Sequence, residues 1–283
     1  MIYKGQMHMY KLDIGVIVPL ESLLKNGTEE LEALGLDTCQ INAWNTDILT
    51  EENASALKRI LGDKIKVSSF WVGWPGPKVW DFIDGPATLG LVPKEFRYVR
   101  MEALKRGARF AKMLDVTDIT THVGFLPENP STTEYRETVV AIKDVAYYCQ
   151  SLGLFFNFET GQETPVTLMR TIEDIGLDNL GINLDPANLL LYGKGNPVDA
   201  VDIYKDRIRG VHIKDGRYPT DGRHLGKETP VGEGLVDFPR LLDKLISYKY
   251  KGALIIEREI SGPKQKEDIR KAMSILLDIL QNY

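Results

Sequence analysis

The sequence predicts a single-domain (β/α)8 TIM barrel spanning residues 1–283, and three observations carry the prediction. Short apolar runs bounded by Gly, Asp and Pro recur along the chain, as parallel strands buried on both faces do. Segments with helical periodicity separate these runs, so strand and helix alternate eight times. A chain of 283 residues suits one such barrel, which takes about 250.

The first strand is read over 10–18, followed by a helix over 21–34 that ends before Gly35. The second strand covers 36–42, with Asn42 at its C-terminal end. The helix over 50–61 opens on Thr50-Glu51-Glu52, a capping residue with acid in the first turn. The third strand, 65–72, alternates poorly, as a strand covered on both faces should. An irregular insertion over 74–93 follows, carrying Trp74, Trp80 and four prolines. A structureless loop of about 20 residues is uncommon in a domain and is usually functional. Because it follows a strand C-terminus it is expected as a lid on the catalytic face, with Trp74 or the neighbouring Trp71 as an apolar wall.

The helix over 94–114 is rich in Arg and Lys and reads as a solvated face. The fourth strand, 118–123, ends near His122, and a long helix follows over 131–152. The fifth strand, 154–158, runs into Glu159, and the helix over 166–175 follows it. The sixth strand, 180–184, runs into Asp185, and a short helix reaches Tyr192. The seventh, 208–211, runs into His212 and a long loop to about Leu235. A helix over 237–247, a last strand over 253–256 ending in Glu257, and a helix over 264–281 complete the series.

Strand C-termini open on one face of a parallel barrel, so side chains there converge. Glu159, Asp185, His212 and Glu257 stand at four successive strand ends and could surround one divalent cation. A lone acid at a strand end often caps the next helix or pairs with an Arg. Four metal-ligating side chains in register favour a site. Carboxylate oxygen suits Mg²⁺ and Mn²⁺, and one imidazole moves the preference toward Mn²⁺, Co²⁺ or Zn²⁺. Manganese is therefore the first expectation, with the other three as alternatives. Open coordination positions would let adjacent carbonyl and hydroxyl groups chelate, acidifying the carbon beside the carbonyl. Glu159 and Glu257 could then flank that carbon, one taking the proton and the other returning it. His122, one strand away, is a candidate for a substrate oxygen.

Composition bounds the partners. The net charge of −5 lacks the basic stripe a nucleic acid needs. No apolar run approaches the roughly 18 residues of a membrane helix, and Met1 to Gln6 has no signal core, so a cytoplasmic enzyme is expected. Cys39 and Cys149 form no metal or redox spacing and read as buried free thiols. A homo-oligomer is compatible with all of this.

Phe158-Glu159-Thr160, Asn183-Leu184-Asp185-Pro186-Ala187-Asn188, His212-Ile213-Lys214-Asp215 and Ile256-Glu257-Arg258-Glu259 together carry a resemblance. So does the run from Val231 to Phe238. In these motifs the chain resembles the xylose isomerase-like barrel superfamily, within it the sugar phosphate isomerase/epimerase group that includes D-tagatose and D-psicose 3-epimerases. The resemblance implies metal-dependent sugar epimerisation or isomerisation through an enediolate. Glu159 and Glu257 are then both ligands and acid/base pair, and Asp185 and His212 complete the metal set. It also implies that Arg217 binds substrate oxygen. Asn188 stands where ketose epimerases usually carry a histidine, and the tryptophan-rich insertion has no clear counterpart there. Both departures leave room for a larger or glycosylated sugar. The competing expectation is a lyase or dehydratase acting on a keto-inositol or a 3-keto-glycoside. Apurinic-site endonuclease chemistry shares the superfamily fold but needs many more histidines than the four present. The absence of a Gly-rich phosphate loop after strands 7 and 8 favours an unphosphorylated substrate.

Overall fold

The computed structural model describes residues 11–283. The start of the first predicted strand at Tyr10, the N-terminal segment and His8 lie outside them.

β-Branched and aromatic runs form strands here because each is covered on both sides, by the barrel interior and by a helix. The first half consists of β1 (Ile14–Pro19), α1 (Leu20–Asn26), α2 (Glu29–Leu34), β2 (Thr38–Ala43), α3 (Glu51–Leu61), β3 (Lys66–Val72), α4 (Gly85–Thr88), α5 (Lys94–Met113), β4 (Asp118–Thr121) and α6 (Thr133–Ser151). The second half adds β5 (Phe155–Glu159), α7 (Pro165–Ile175), β6 (Leu180–Leu184), α8 (Pro186–Leu191), α9 (Pro197–Tyr204), β7 (Ile208–Ile213), β8 (Asp215–Arg217), β9 (Lys227–Thr229), α10 (Phe238–Ser247), β10 (Leu254–Ile256) and α11 (Pro263–Leu280). Eight parallel strands close in the order β1-β10-β7-β6-β5-β4-β3-β2, a (β/α)8 barrel. β1 closes the ring on β10 through Ile14–Leu254, Gly15–Ile255 and Val16–Ile256.

Leu20, Leu57, Phe70, Leu104, Phe110, Ile142 and Leu241 are wholly buried in the apolar core. Polar groups are also buried. Gln40 Nε2 donates to Ser69 Oγ at 2.6 Å, and Asn157 Nδ2 to Asp118 Oδ1 at 3.0 Å. Arg209 grips the same Asp118 carboxylate from Nε and Nη2. No helix among the described residues is long and apolar enough to cross a membrane.

Several expectations need correcting. The helix read over 21–34 is two helices, because Gly27 caps the first, its N–H donating to Leu23 O at 2.9 Å. The fourth strand stops at Thr121, before His122. The stretch after Asp185 holds two helices rather than one, and the long loop after His212 contains the antiparallel ribbon β8–β9. The insertion includes the short α4. The helix α5 is not wholly solvated on its basic side: Arg100 is fully buried. Its guanidinium donates to the carbonyls of Pro75, Pro77 and Gly90, at 3.1, 2.8 and 2.7 Å, and so ties down both ends of the insertion. Burial lowers the Arg100 pKa to about 10, which still leaves it charged at neutral pH. Cys39 and Cys149 are buried free thiols, pushed up to about 12 by desolvation.

Candidate metal centre

Each predicted ligand sits at the C-terminal end of its strand. Glu159 is the last residue of β5, and His212 is the penultimate residue of β7. Asp185 directly follows β6, and Glu257 directly follows β10. The barrel brings one ligand atom from each within 4.8 Å of all the others. His212 Nδ1 lies 3.2 Å from Glu159 Oε1, 3.6 Å from Asp185 Oδ2 and 3.2 Å from Glu257 Oε2. Asp185 and His212 are wholly buried.

The surroundings orient these atoms. Asp185 divides its work: Oδ1 accepts from the Asn188 N–H at 2.9 Å and caps α8, while Oδ2 turns to the cluster. Thr160 Oγ1 accepts from the Asp185 N–H at 2.8 Å and donates to its carbonyl at 2.9 Å, locking the ends of β5 and β6 together. Gln40 Oε1 lies 2.8 Å from His212 Nε2, so that nitrogen donates to the amide oxygen and Nδ1 faces the cluster. The Trp71 indole N–H donates to Glu159 Oε2, leaving Oε1 to face the cluster.

The electrostatics follow from burial against neighbouring charge. Desolvation pushes the Glu159 carboxyl up, yet His122 and His212 outweigh it and hold the group below its usual range. Burial likewise opposes ionisation of Asp185 and Glu257, and Lys214 and His212 reverse it. In return the carboxylates raise His212 well above its ordinary value despite burial. Lys214 is 2% exposed, and its Nζ lies 3.2 Å from Glu257 Oε2, 3.6 Å from Asp185 Oδ2 and 2.9 Å from Glu259 Oε1.

These residues fit a divalent cation. Asp185 Oδ2, His212 Nδ1 and Glu257 Oε2 are buried and have no hydrogen-bond partner among the described residues. Lys214 lends positive charge to the two carboxylates, and a cation among all four side chains would give these buried atoms the partner they lack. Three carboxylates and one imidazole with no thiolate form a hard donor set suited to Mg²⁺ or Mn²⁺.

A cavity of about 570 Å³ opens above the cluster. Of the four candidate ligands only Glu159 and Glu257 line it. His122 lines it as well, its Nε2 3.5 Å from Glu159 Oε1. Asn188 does too, its amide reaching Glu159 Oε1 at 3.4 Å and accepting from Lys214 Nζ at 3.3 Å. Trp71 forms part of the wall.

Two expected residues stand elsewhere. Trp74 is fully buried and does not line the cavity: its indole N–H donates to the His122 carbonyl at 3.3 Å, and Arg100 stacks on its ring at 4.6 Å. From the insertion, the wall is supplied by Trp80 and Lys78 instead. Arg217 sits on the β8–β9 ribbon, and its Nη2 donates to the Glu233 carbonyl at 2.6 Å, away from the cavity. Sequence reasoning also passed over Gln40, Trp44, Lys214 and Glu259. Lys214 lay inside the His212-Ile213-Lys214-Asp215 motif, one residue past the end of β7 and two beyond His212, where extended chain puts it on the same face. That signal was available.

Residues 29–279 match the model of the family described as xylose isomerase-like TIM barrel. A xylose isomerase domain protein from Planctomyces limnophilus has a solved structure similar to this one, with a TM-score of 0.89 and 33% identity over 96% of this chain and 98% of that one. An inosose dehydratase from Geobacillus kaustophilus (strain HTA426) is 34% identical over 149 residues, covering 45% of this chain and 46% of that protein, so the likeness spans less than half of the dehydratase. A D-tagatose 3-epimerase-like protein superposes with a TM-score of 0.71 at 23% identity, over 95% of this chain and 97% of that one, a likeness of fold. By the match over nearly its whole length, the chain belongs to the xylose isomerase-like TIM barrel family.

Proposed function

We propose that the protein is an enzyme that moves a proton on the carbon beside the carbonyl of a sugar or sugar derivative, as an epimerase or aldose–ketose isomerase does, with Glu159 and Glu257 as its acid/base pair. The observation that supports this is the division of the ligand set. Asp185 and His212 are sealed beneath the cavity, whereas Glu159 and Glu257 line it and can reach a bound molecule. A divalent cation held by all four, manganese suiting the donor set best, would polarise neighbouring carbonyl and hydroxyl oxygens.

The chain's own residues do the rest. Both glutamates are held ionised by neighbouring positive charge, so either can accept a proton at neutral pH. Trp71 fixes one oxygen of Glu159, and the other faces the cluster beside the Asn188 amide. Lys214 steadies Glu257 from behind. His122 and Asn188, both beside Glu159, are placed to hydrogen-bond substrate oxygens. The indoles of Trp44, Trp71 and Trp80 give the cavity an apolar wall, beside which such interactions are stronger than in water.

The test is deuterium uptake from heavy water across ketoses, phospho-ketoses and keto-glycosides, at saturating metal. General acid–base catalysis typically contributes about 10²–10⁴ in rate, and Glu159→Gln and Glu257→Gln should each lose that much. One variant should still exchange the proton of one epimer without interconverting the pair. If both turn over within about tenfold of the parent, they are ligands only, and His122 becomes the next group to replace.

A second reading, a dehydratase or other lyase, is favoured by the inosose dehydratase relative. Elimination needs an acid for the leaving oxygen, and His122, at 3.5 Å from Glu159, could donate to it. Product analysis separates the two readings: elimination releases water or an aglycone, and epimerisation changes only stereochemistry.

A further inference from the structure

The cavity is larger and more aromatic than a chelated sugar needs. At its floor, Glu159, Glu257, His122 and Asn188 offer the polar contacts a keto-sugar ring would use. Away from the floor the lining changes character. Trp71, bonded to Glu159, passes the wall on to Trp44 at 4.7 Å between ring centroids, and Trp44 meets Trp80 at 6.3 Å. Trp80 also closes on His122 at 5.2 Å and is 38% exposed, so it stands at the cavity's outer edge. Leu191 and Leu225 line the same space.

The protein fixes this wall firmly. A Cβ at Gly73 would lie 2.8 Å from the Trp44 Cα, so only glycine lets β3 pass that close. Gly90 has φ +68°, and a Cβ there would overlap the Val123 backbone, where the insertion's far end docks beside β4. Arg100 holds the carbonyls of Pro75 and Pro77, between these two glycines, and that of Gly90 itself. A rigid, half-exposed indole surface beyond a polar floor is a binding surface for a flat apolar face. A volume of about 570 Å³ leaves room beyond a single hexose ring.

Lys78 Nζ lies over the Trp44 ring at 5.0 Å, which leaves Trp80 as the open indole. We propose that Trp80, backed by Trp44, forms a second subsite, which stacks a ring carried by the sugar, so that the substrate is a keto-sugar conjugate with a flat-faced second ring rather than a free ketose. This rests on the proton-transfer reading for the chemistry at the floor. The stacked ring is either an aryl aglycone or the CH face of a second sugar, and the two share the same recognition chemistry.

All four tryptophans of the chain lie in this cluster, and Trp44, Trp71 and Trp80 line the cavity, so indole fluorescence responds to what binds there. The metal-loaded protein is titrated with the methyl, phenyl and glucosyl glycosides of one 3-keto-glucose. The phenyl or the glucosyl glycoside should bind at least about tenfold more tightly than the methyl glycoside, and whichever does so names the ring. By calorimetry, Trp80→Ala should erase most of that preference, and Trp80→Phe, which keeps a stacking face, should retain it. Equal affinity for all three glycosides overturns the subsite and leaves the proton-transfer reading standing. Tight binding of the phenyl or glucosyl glycoside with no deuterium uptake into it overturns the proton-transfer reading and leaves the subsite. A preference that survives Trp80→Ala overturns the assignment to this wall.

Discussion

Asp185 shows at the scale of one residue why the alternatives at a strand end need not exclude each other. It caps α8 with one oxygen and turns the other into the cluster, so a helix cap and a candidate ligand share one side chain. That position was legible because strand ends and acids are both visible in sequence. Gln40 was not, since its partner His212 lies 172 residues away and only barrel closure joins them. Glu163 was equally hidden. It is 1% exposed, neither carboxylate oxygen has a hydrogen-bond partner among the described residues, and burial pushes it up to about 8 from an ordinary 4.5. Below pH 4.5 this group is protonated whether the chain is folded or not. As pH rises toward 8 the unfolded chain ionises it and the folded one does not, so the stability it contributes falls across that window and is fully lost above it. A tenfold difference in proton affinity between the folded and unfolded chain is worth about 1.4 kcal/mol. Glu163→Gln should therefore leave stability near pH 4 little changed and raise it by about 5 kcal/mol at about pH 9 relative to the parent. Denaturant unfolding at both pH values checks this, and an identical difference at the two would mean that Glu163 is ionised in the fold.

At the scale of elements, the insertion between β3 and α5 is where reading the chain in segments reached furthest and also missed most. Its length and aromatic content pointed to the cavity, and Trp80 and Lys78 do line it. The choice of Trp74 failed because the chain turns that ring inward, under Trp44 and against Arg100, which no local pattern announces. Arg100 itself was hidden in a basic helix whose other Arg and Lys residues give no hint of one buried member. The loop after β7 has a similar organiser in Asp215. Its carboxylate accepts from the N–H groups of Gly216, Gly232, Gly234 and Val236, which shapes the run from Val231 to Phe238. Arg100→Met keeps bulk but leaves three buried carbonyls without their donor. Unsatisfied buried groups cost about 1–3 kcal/mol each, so the variant should lose about 3 kcal/mol or more. Limited proteolysis should then cut within residues 75–90, and KM should rise with metal still bound. Parental stability and cleavage pattern would show that the insertion holds itself in place.

At the scale of the molecule, the barrel explains why four residues spread over residues 159–257 meet at one point: consecutive parallel strands deliver their ends to the same face. The strand-helix alternation and the convergence of the four candidate ligands at strand ends were legible because buried strands declare themselves by composition. The second wall of the cavity was not, since Trp44 and Trp71 come from the ends of β2 and β3 and meet Trp80 only through tertiary packing. The direction of a pH effect follows from the same convergence. Neighbouring carboxylates raise His212 well above its ordinary value, and a cation must displace the proton from Nδ1, so metal should bind more weakly as pH falls. The central claim is that Glu159, Asp185, His212 and Glu257 hold one divalent cation. It is tested most directly by measuring the metal content of the purified protein after equilibration with Mn²⁺, beside a folded Asp185→Ala, His212→Ala double variant. One ion per chain in the parent and none in the double variant is the predicted result; full occupancy in the double variant, or none in the parent, would contradict the site.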